Sequence, residues 1–246
     1  MRSTGTIFFL IVFLCLELCP VPLTSASFKK NATPLLQTGT QRLLVSARQG
    51  KAFNPAGVLS ASDVQFPLET TADGIVVFDV SLNARGEITN MNPLTDILPL
   101  TIVAKSSLQS WKFIPASRED TTIRSRMLVA FVFRHAVKMW NPPPFKPVIM
   151  PREAAGYTPP GINSATYAEY PSSTIAAGAT VLQVTVNANG MIGNLRVVRR
   201  LRGGFVPLAV KAATQWKFEP AMLDGTPVIS KIAIAFVFSS RALNPI

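Results

Sequence analysis

The sequence predicts an α+β protein made of two copies of one small unit. Each copy is expected as a three-stranded antiparallel sheet covered by a helix, in the order β-β-α-β. Three observations carry this. First, Phe66-Pro67, Gly74, Asn83-Ala84-Arg85-Gly86, Trp111-Lys112-Phe113, Pro115-Ala116 and Phe131-Val132-Phe133 occur in order and then recur. Their counterparts are Tyr170-Pro171, Gly178, Asn187-Ala188-Asn189-Gly190, Trp216-Lys217-Phe218, Pro220-Ala221 and Phe236-Val237-Phe238. Second, the offset is 104 residues through the Asn-x-x-Gly stretch and 105 from the tryptophan onward, so one residue was gained between them. Solenoid units repeat every ~20 to 50 residues, so this period points to a duplicated domain. Third, within each copy the apolar period changes from two to helical spacing and back.

In chain order, residues 1–26 read as a secretion signal: Arg2, the apolar run Ile7–Leu16, the breakers Pro20 and Pro22, and a small-residue site at Thr24-Ser25-Ala26. Ten uninterrupted apolar residues fall short of the roughly 20 that span a bilayer. An uncleaved anchor helix in the inner membrane is the alternative. Both cysteines, Cys15 and Cys19, lie in this segment, so the mature chain would carry no disulfide. Residues 27–61 lack a period and are expected to be poorly ordered, with a short strand or helix near Arg42-Leu43-Leu44-Val45.

The first unit is expected over 62–135. Val76, Phe78, Val80 and Leu82 alternate as a half-buried strand, and Asn83–Gly86 turns the chain into its partner. After Pro99, the residues Leu100, Ala104, Leu108 and Trp111 share one helical face. Met127, Val129, Phe131 and Phe133 form the closing strand. Residues 136–169, with seven prolines, read as a semi-rigid extended linker. The second unit, 170–246, repeats the plan: strand Leu182, Val184, Val186; turn Asn187–Gly190; a helix opened by Pro207 with Ala209, Ala212, Ala213 and Trp216 inward; and strand Ile232, Ile234, Phe236, Phe238.

Formal charge is +11 and uneven. Residues 62–134 carry seven basic and eight acidic groups, whereas 172–246 carry eight against two. Arg196, Arg199, Arg200 and Arg202 crowd one strand end and its loop. They read either as a contact for an acidic plug region, an anionic glycan or lipid headgroups, or as a solvated loop. Nucleic acid is disfavoured, because no base-stacking aromatic surface accompanies them. No enzyme is expected either. The single histidine, His135, has no cysteine partner and no spaced carboxylates with which to build a metal site or a base–orienter pair, so no cofactor or metal is expected.

The Tyr170-Pro171 pair, Gly178 before a strand, the Asn-x-x-Gly turn and Trp216-Lys217-Phe218-Glu219-Pro220-Ala221 before a last strand resemble the TonB C-terminal domain family, at about 170–240 and again at about 66–134. The resemblance implies a periplasmic domain that binds an extended peptide of an outer-membrane transport protein and, in anchored members, passes on force from an ExbB–ExbD motor. It also implies a docking edge on the last strand, Val228-Ile229-Ser230-Lys231-Ile232-Ala233-Ile234, with Arg124 and Arg126 in the first copy's counterpart. Unpaired backbone at a sheet edge is what lets a guest strand add. Tyr170, Pro171 and Phe66 either line a peptide groove or pin the domain entrance to the core. Two rival roles remain at this stage: a structural envelope protein that binds peptidoglycan or pairs with itself, and an anchored energy transducer.

Overall fold

The computed structural model describes residues 53–67, 70–136, 142, 144–152, 155–172 and 174–239. The expected secretion signal and the Arg42–Val45 element lie outside them. The chain first forms two short strands, β1 (Phe53–Asn54) and β2 (Gly57–Ser60). This corrects part of the poorly ordered stretch expected over 27–61. The predicted hairpin follows as β3 (Gly74–Leu82) and β4 (Ile88–Pro93), then helix α1 (Leu100–Leu108). Three short strands, β5 (Lys112–Ile114), β6 (Ala116–Arg118) and β7 (Thr121–Ile123), lead into the long β8 (Ser125–His135).

The second passage has the same order. It runs β9 (Tyr157–Thr158), β10 (Ile162–Ser164), β11 (Gly178–Val186), β12 (Ile192–Arg199), α2 (Phe205–Ala213), β13 (Lys217–Phe218), β14 (Ala221–Leu223), β15 (Thr226–Val228) and β16 (Ser230–Ser239). Both hairpin turns need glycine for a steric reason. Gly86 and Gly190 have φ of 79° and 80°. A Cβ on them would sit 2.5 Å from the Phe113 carbonyl oxygen and 2.7 Å from that of Phe218.

Two separate three-stranded sheets were expected. The structure instead has one six-stranded sheet in the order β12-β11-β16-β8-β3-β4. Its centre is a parallel pairing of β16 with β8, in register from Ala233↔Val129 to Ser239↔His135. All other neighbours are antiparallel. The register fixes the layering. Phe131 and Phe236 correspond at an offset of 105, but the strand pairing runs at 104, so Phe131 lies beside Ala235 and Val132 beside Phe236. Side chains alternate between faces along a strand. The large residues of β8 and β16 therefore point to opposite faces.

Two hydrophobic cores result, one on each face. One gathers Val76, Phe78, Leu100, Leu108, Trp111 and Phe131 under α1. The other gathers Leu182, Val184, Phe205, Ala209, Trp216 and Phe236 under α2. Each extends beneath its neighbour's back face: Ala179, Val181, Ala233, Ala235 and Val237 join the first, while Ile75, Val77, Leu128, Ala130 and Val132 join the second. No half of the sheet keeps a bare side, which answers the marginal size of a roughly 70-residue unit.

The proline-rich stretch is correspondingly not a free spacer. Val148, Met150, Ile162 and Ala168 are buried in the second core, and Val148 bridges Ile162 backbone to backbone at 2.9 Å in both directions. Small flanking sheets, β1-β6-β7 and β9-β14-β15, meet through Phe53 and Tyr157, whose ring centroids are 5.3 Å apart, and through Arg118 and Asp224 at 3.2 Å. Among the described residues no helix is long and apolar enough to cross a membrane.

Candidate functional site

The docking edge expected along 228–234 is not an edge. From Ser230 to Phe238 one flank of β16 pairs with β11, and from Ala233 to Ser239 the other flank pairs with β8. Ala233 and Ile234 therefore have both backbone flanks taken. Ile232 and Ser230 are buried, and Val228 belongs to β15, leaving Ile229 half exposed. The correction has a plain cause: the closing strands of the two halves satisfy each other. In β8, Arg126 is likewise committed. Its guanidinium donates to both carboxylate oxygens of Asp79, at 3.1 Å and 3.2 Å from Nε. Arg124 is exposed.

Lys231 points away from the seam. Its Nζ donates to the Pro55 carbonyl at 3.4 Å, and burial, aided by the nearby Arg196 charge, pushes its pKa down. Tyr170 packs edge-on against Phe205 and Phe238 and donates its hydroxyl to the Ala176 carbonyl at 2.7 Å. Pro171 is buried beside it. Phe66 packs edge-on against Phe133 and lies 4.2 Å, centroid to centroid, from His135. In this geometry both aromatics tie the entering chain to the core. His135 Nδ1 is 2.7 Å from Asp73, whose other oxygen accepts from Arg134 at 3.0 Å.

The arginine group divides in two. Arg196 donates to the Val58 carbonyl and to Gln183 Oε1, and Arg199 pairs with Asp63 at 3.1 Å. Arg200 and Arg202 are exposed and make no ion pair among the described residues.

Gln183, Arg196 and Lys231 together hold the segment Pro55–Val58 across the back of β11, β12 and β16. Val58 N–H donates to Gln183 Oε1 at 2.8 Å. On the other face Tyr157 is partly buried near Asp79 and Arg126, and desolvation raises its pKa well above the ordinary phenol value. These two straps were missed in the sequence, although a signal existed. Phe53-Asn54-Pro55-Ala56-Gly57-Val58 and Tyr157-Thr158-Pro159-Pro160-Gly161-Ile162 repeat at the same 104-residue offset.

What remains open are the outer strands. Among the described residues β12 pairs only with β11, and β4 only with β3. Beside β12 runs a shallow groove of about 630 Å³, lined by Asn189, Met191, Ile192, Leu195, Trp216 and Lys217. Met191 on its rim is 65 % exposed. A second cleft, of about 580 Å³, lies between Ile75, Leu94, Asp96, Phe145, Lys146 and Tyr167. Burial, with Asp73 nearby, pushes the Tyr167 phenol up to about 12.

The fold places one helix on each face of a sheet whose outer strands are open among the described residues. Its second half, residues 166–239, matches the family model described as Gram-negative bacterial TonB protein C-terminal. No curated protein and no solved structure gives a significant match.

Proposed function

We propose that the chain is a non-catalytic binding module of the cell envelope, built from two TonB C-terminal-like units at 53–135 and 157–239 that share one sheet. It takes an extended segment of an envelope or outer-membrane transport protein onto an open sheet edge. The observation that carries this reading is the strand order itself. The two closing strands are spent on each other, while β12, inside the stretch similar to the TonB family, pairs on one flank only among the described residues. A periplasmic location is supported by the same similarity and by the signal-like sequence of residues 1–26.

The test is hydrogen–deuterium exchange of the full protein mixed with a panel of periplasm-facing peptides from outer-membrane transporters. New protection confined to 192–199 or 88–93 is expected. Protection at neither strand with any peptide would end the strand-addition reading.

A further inference from the structure

We infer that the guest of β12 is an acidic extended segment of another protein. This rests on the strand-addition reading above and adds the partner's chemistry and the choice of edge. From Tyr170 to Phe218, the stretch that includes β12, its turn and α2, there are six basic residues and no acidic one. The equivalent stretch around β4, Phe66 to Phe113, holds five acidic and three basic residues. The two halves share a core plan, but β4 itself carries no charged residue, whereas β12 carries Arg196 and Arg199, the latter paired with Asp63.

Three features select β12 over β4. Pro93 ends β4 and has no N–H to offer a guest, a device that blunts an edge; β12 contains no proline. The groove also borders β12 directly, through Ile192 and Leu195. Finally, the positive charge is placed along the strand. Leu195 pairs with Val184 and Arg196 with Gln183, so the two side chains point to opposite faces of the sheet.

A guest strand beside β12 would drop alternate side chains toward the groove of Met191, Leu195 and Trp216. Its other side chains would fall on the face of Arg196. Arg200 and Arg202, beyond the end of the strand, and Lys217, on the groove wall, add positive charge at the site. Backbone pairing supplies affinity without sequence preference, and the cationic flank supplies the preference for Glu and Asp.

The experiment titrates full-length protein with three peptides of about ten residues, alternating Val with Glu, with Ser or with Lys, and follows backbone amide resonances. The Glu peptide is expected to shift amides along 192–199 and to bind about tenfold tighter than the Ser peptide, the scale of a few rim ion pairs. The preference is expected to shrink in high salt. The Arg200→Glu/Arg202→Glu variant, checked for unchanged circular dichroism, is expected to lose it. Equal affinity for all three peptides with shifts along 192–199 would overturn the acidic guest and leave strand addition standing. So would shifts confined to 88–93. Matching affinity for an anionic lipid vesicle, without shifts along β12, would overturn both.

Discussion

At the scale of single residues, the polar groups at the back of the sheet are there to hold straps. Gln183 is 7 % exposed beside Ala179, Val181, Ala233 and Ala235, and a buried amide there needs a partner. It has one in the Val58 N–H. Gln183→Ala strands that donor and frees the Arg196 contact, so a loss of about 1–3 kcal/mol is expected in urea unfolding. Gln183→Glu keeps the acceptor beside Arg196 and Lys231 and should recover most of that loss; equal damage from both would show that the strap is not held there. The tyrosines give a second check. Burial raises the pKa of Tyr157, Tyr167 and Tyr170 alike. A phenol whose folded pKa exceeds the unfolded value near 10 leaves stability unchanged below that pH. As pH rises toward the folded value, about 12 for Tyr167, the unfolded chain ionises first and stability falls. Urea midpoints should therefore be lower at about pH 11 than at about pH 9, with phenolate absorbance appearing late. Phenolate forming fully near pH 10 with no loss of midpoint would contradict the burial.

At the scale of elements, what could be read from sequence was whatever depends on near neighbours. The turns at Asn83–Gly86 and Asn187–Gly190 declare themselves because glycine is forced by a positive φ. The inward faces of α1 and α2 follow from spacing, although α2 begins at Phe205, two residues before the proline expected to open it. The straps escaped notice because Phe53–Val58 and Tyr157–Ile162 are short, rich in Pro and Gly, and without a period. The edge could not be read, because whether β16 is free depends on where β8 lies, and no local property of Ser230–Ser239 says so. One clue was nevertheless present. Ala233, Ala235 and Val237 are small residues on the side of β16 away from its own helix, and all are fully buried. On a free unit that side would face water. Here it floors the first core beside Val129, Phe131 and Phe133. Ala235→Leu should overfill that layer and cost about 1–3 kcal/mol. Ile175→Ser, at a site 88 % exposed, should stay within about 0.5 kcal/mol. A tolerated leucine at 235 would mean the seam is loose.

At the scale of the whole molecule, the gained residue between the repeats decides the architecture. A pairing register of 104 against a repeat of 105 sends α1 and α2 to opposite faces, so each helix-covered core runs on under the other half's strands. Neither half can then lose its packing without uncovering part of the other's core. Unfolding should be a single cooperative event even though the chain contains two similar passages. In a Trp140→Phe background, Trp111→Phe leaves Trp216 as reporter of one core, and Trp216→Phe leaves Trp111 as reporter of the other. In each variant the fluorescence midpoint in urea should coincide with the midpoint by far-ultraviolet circular dichroism. Two tethered, independent units would instead show one reporter melting while much of the dichroism signal persisted, and that outcome would remove the shared sheet as the basis of the fold. The same coupling bears on binding. With the closing strands sealed at the centre, the six-stranded sheet offers its backbone to a partner at its rims among the described residues, so occupying β12 should raise the midpoint of both reporters together by the ordinary linkage of ligand to folded state.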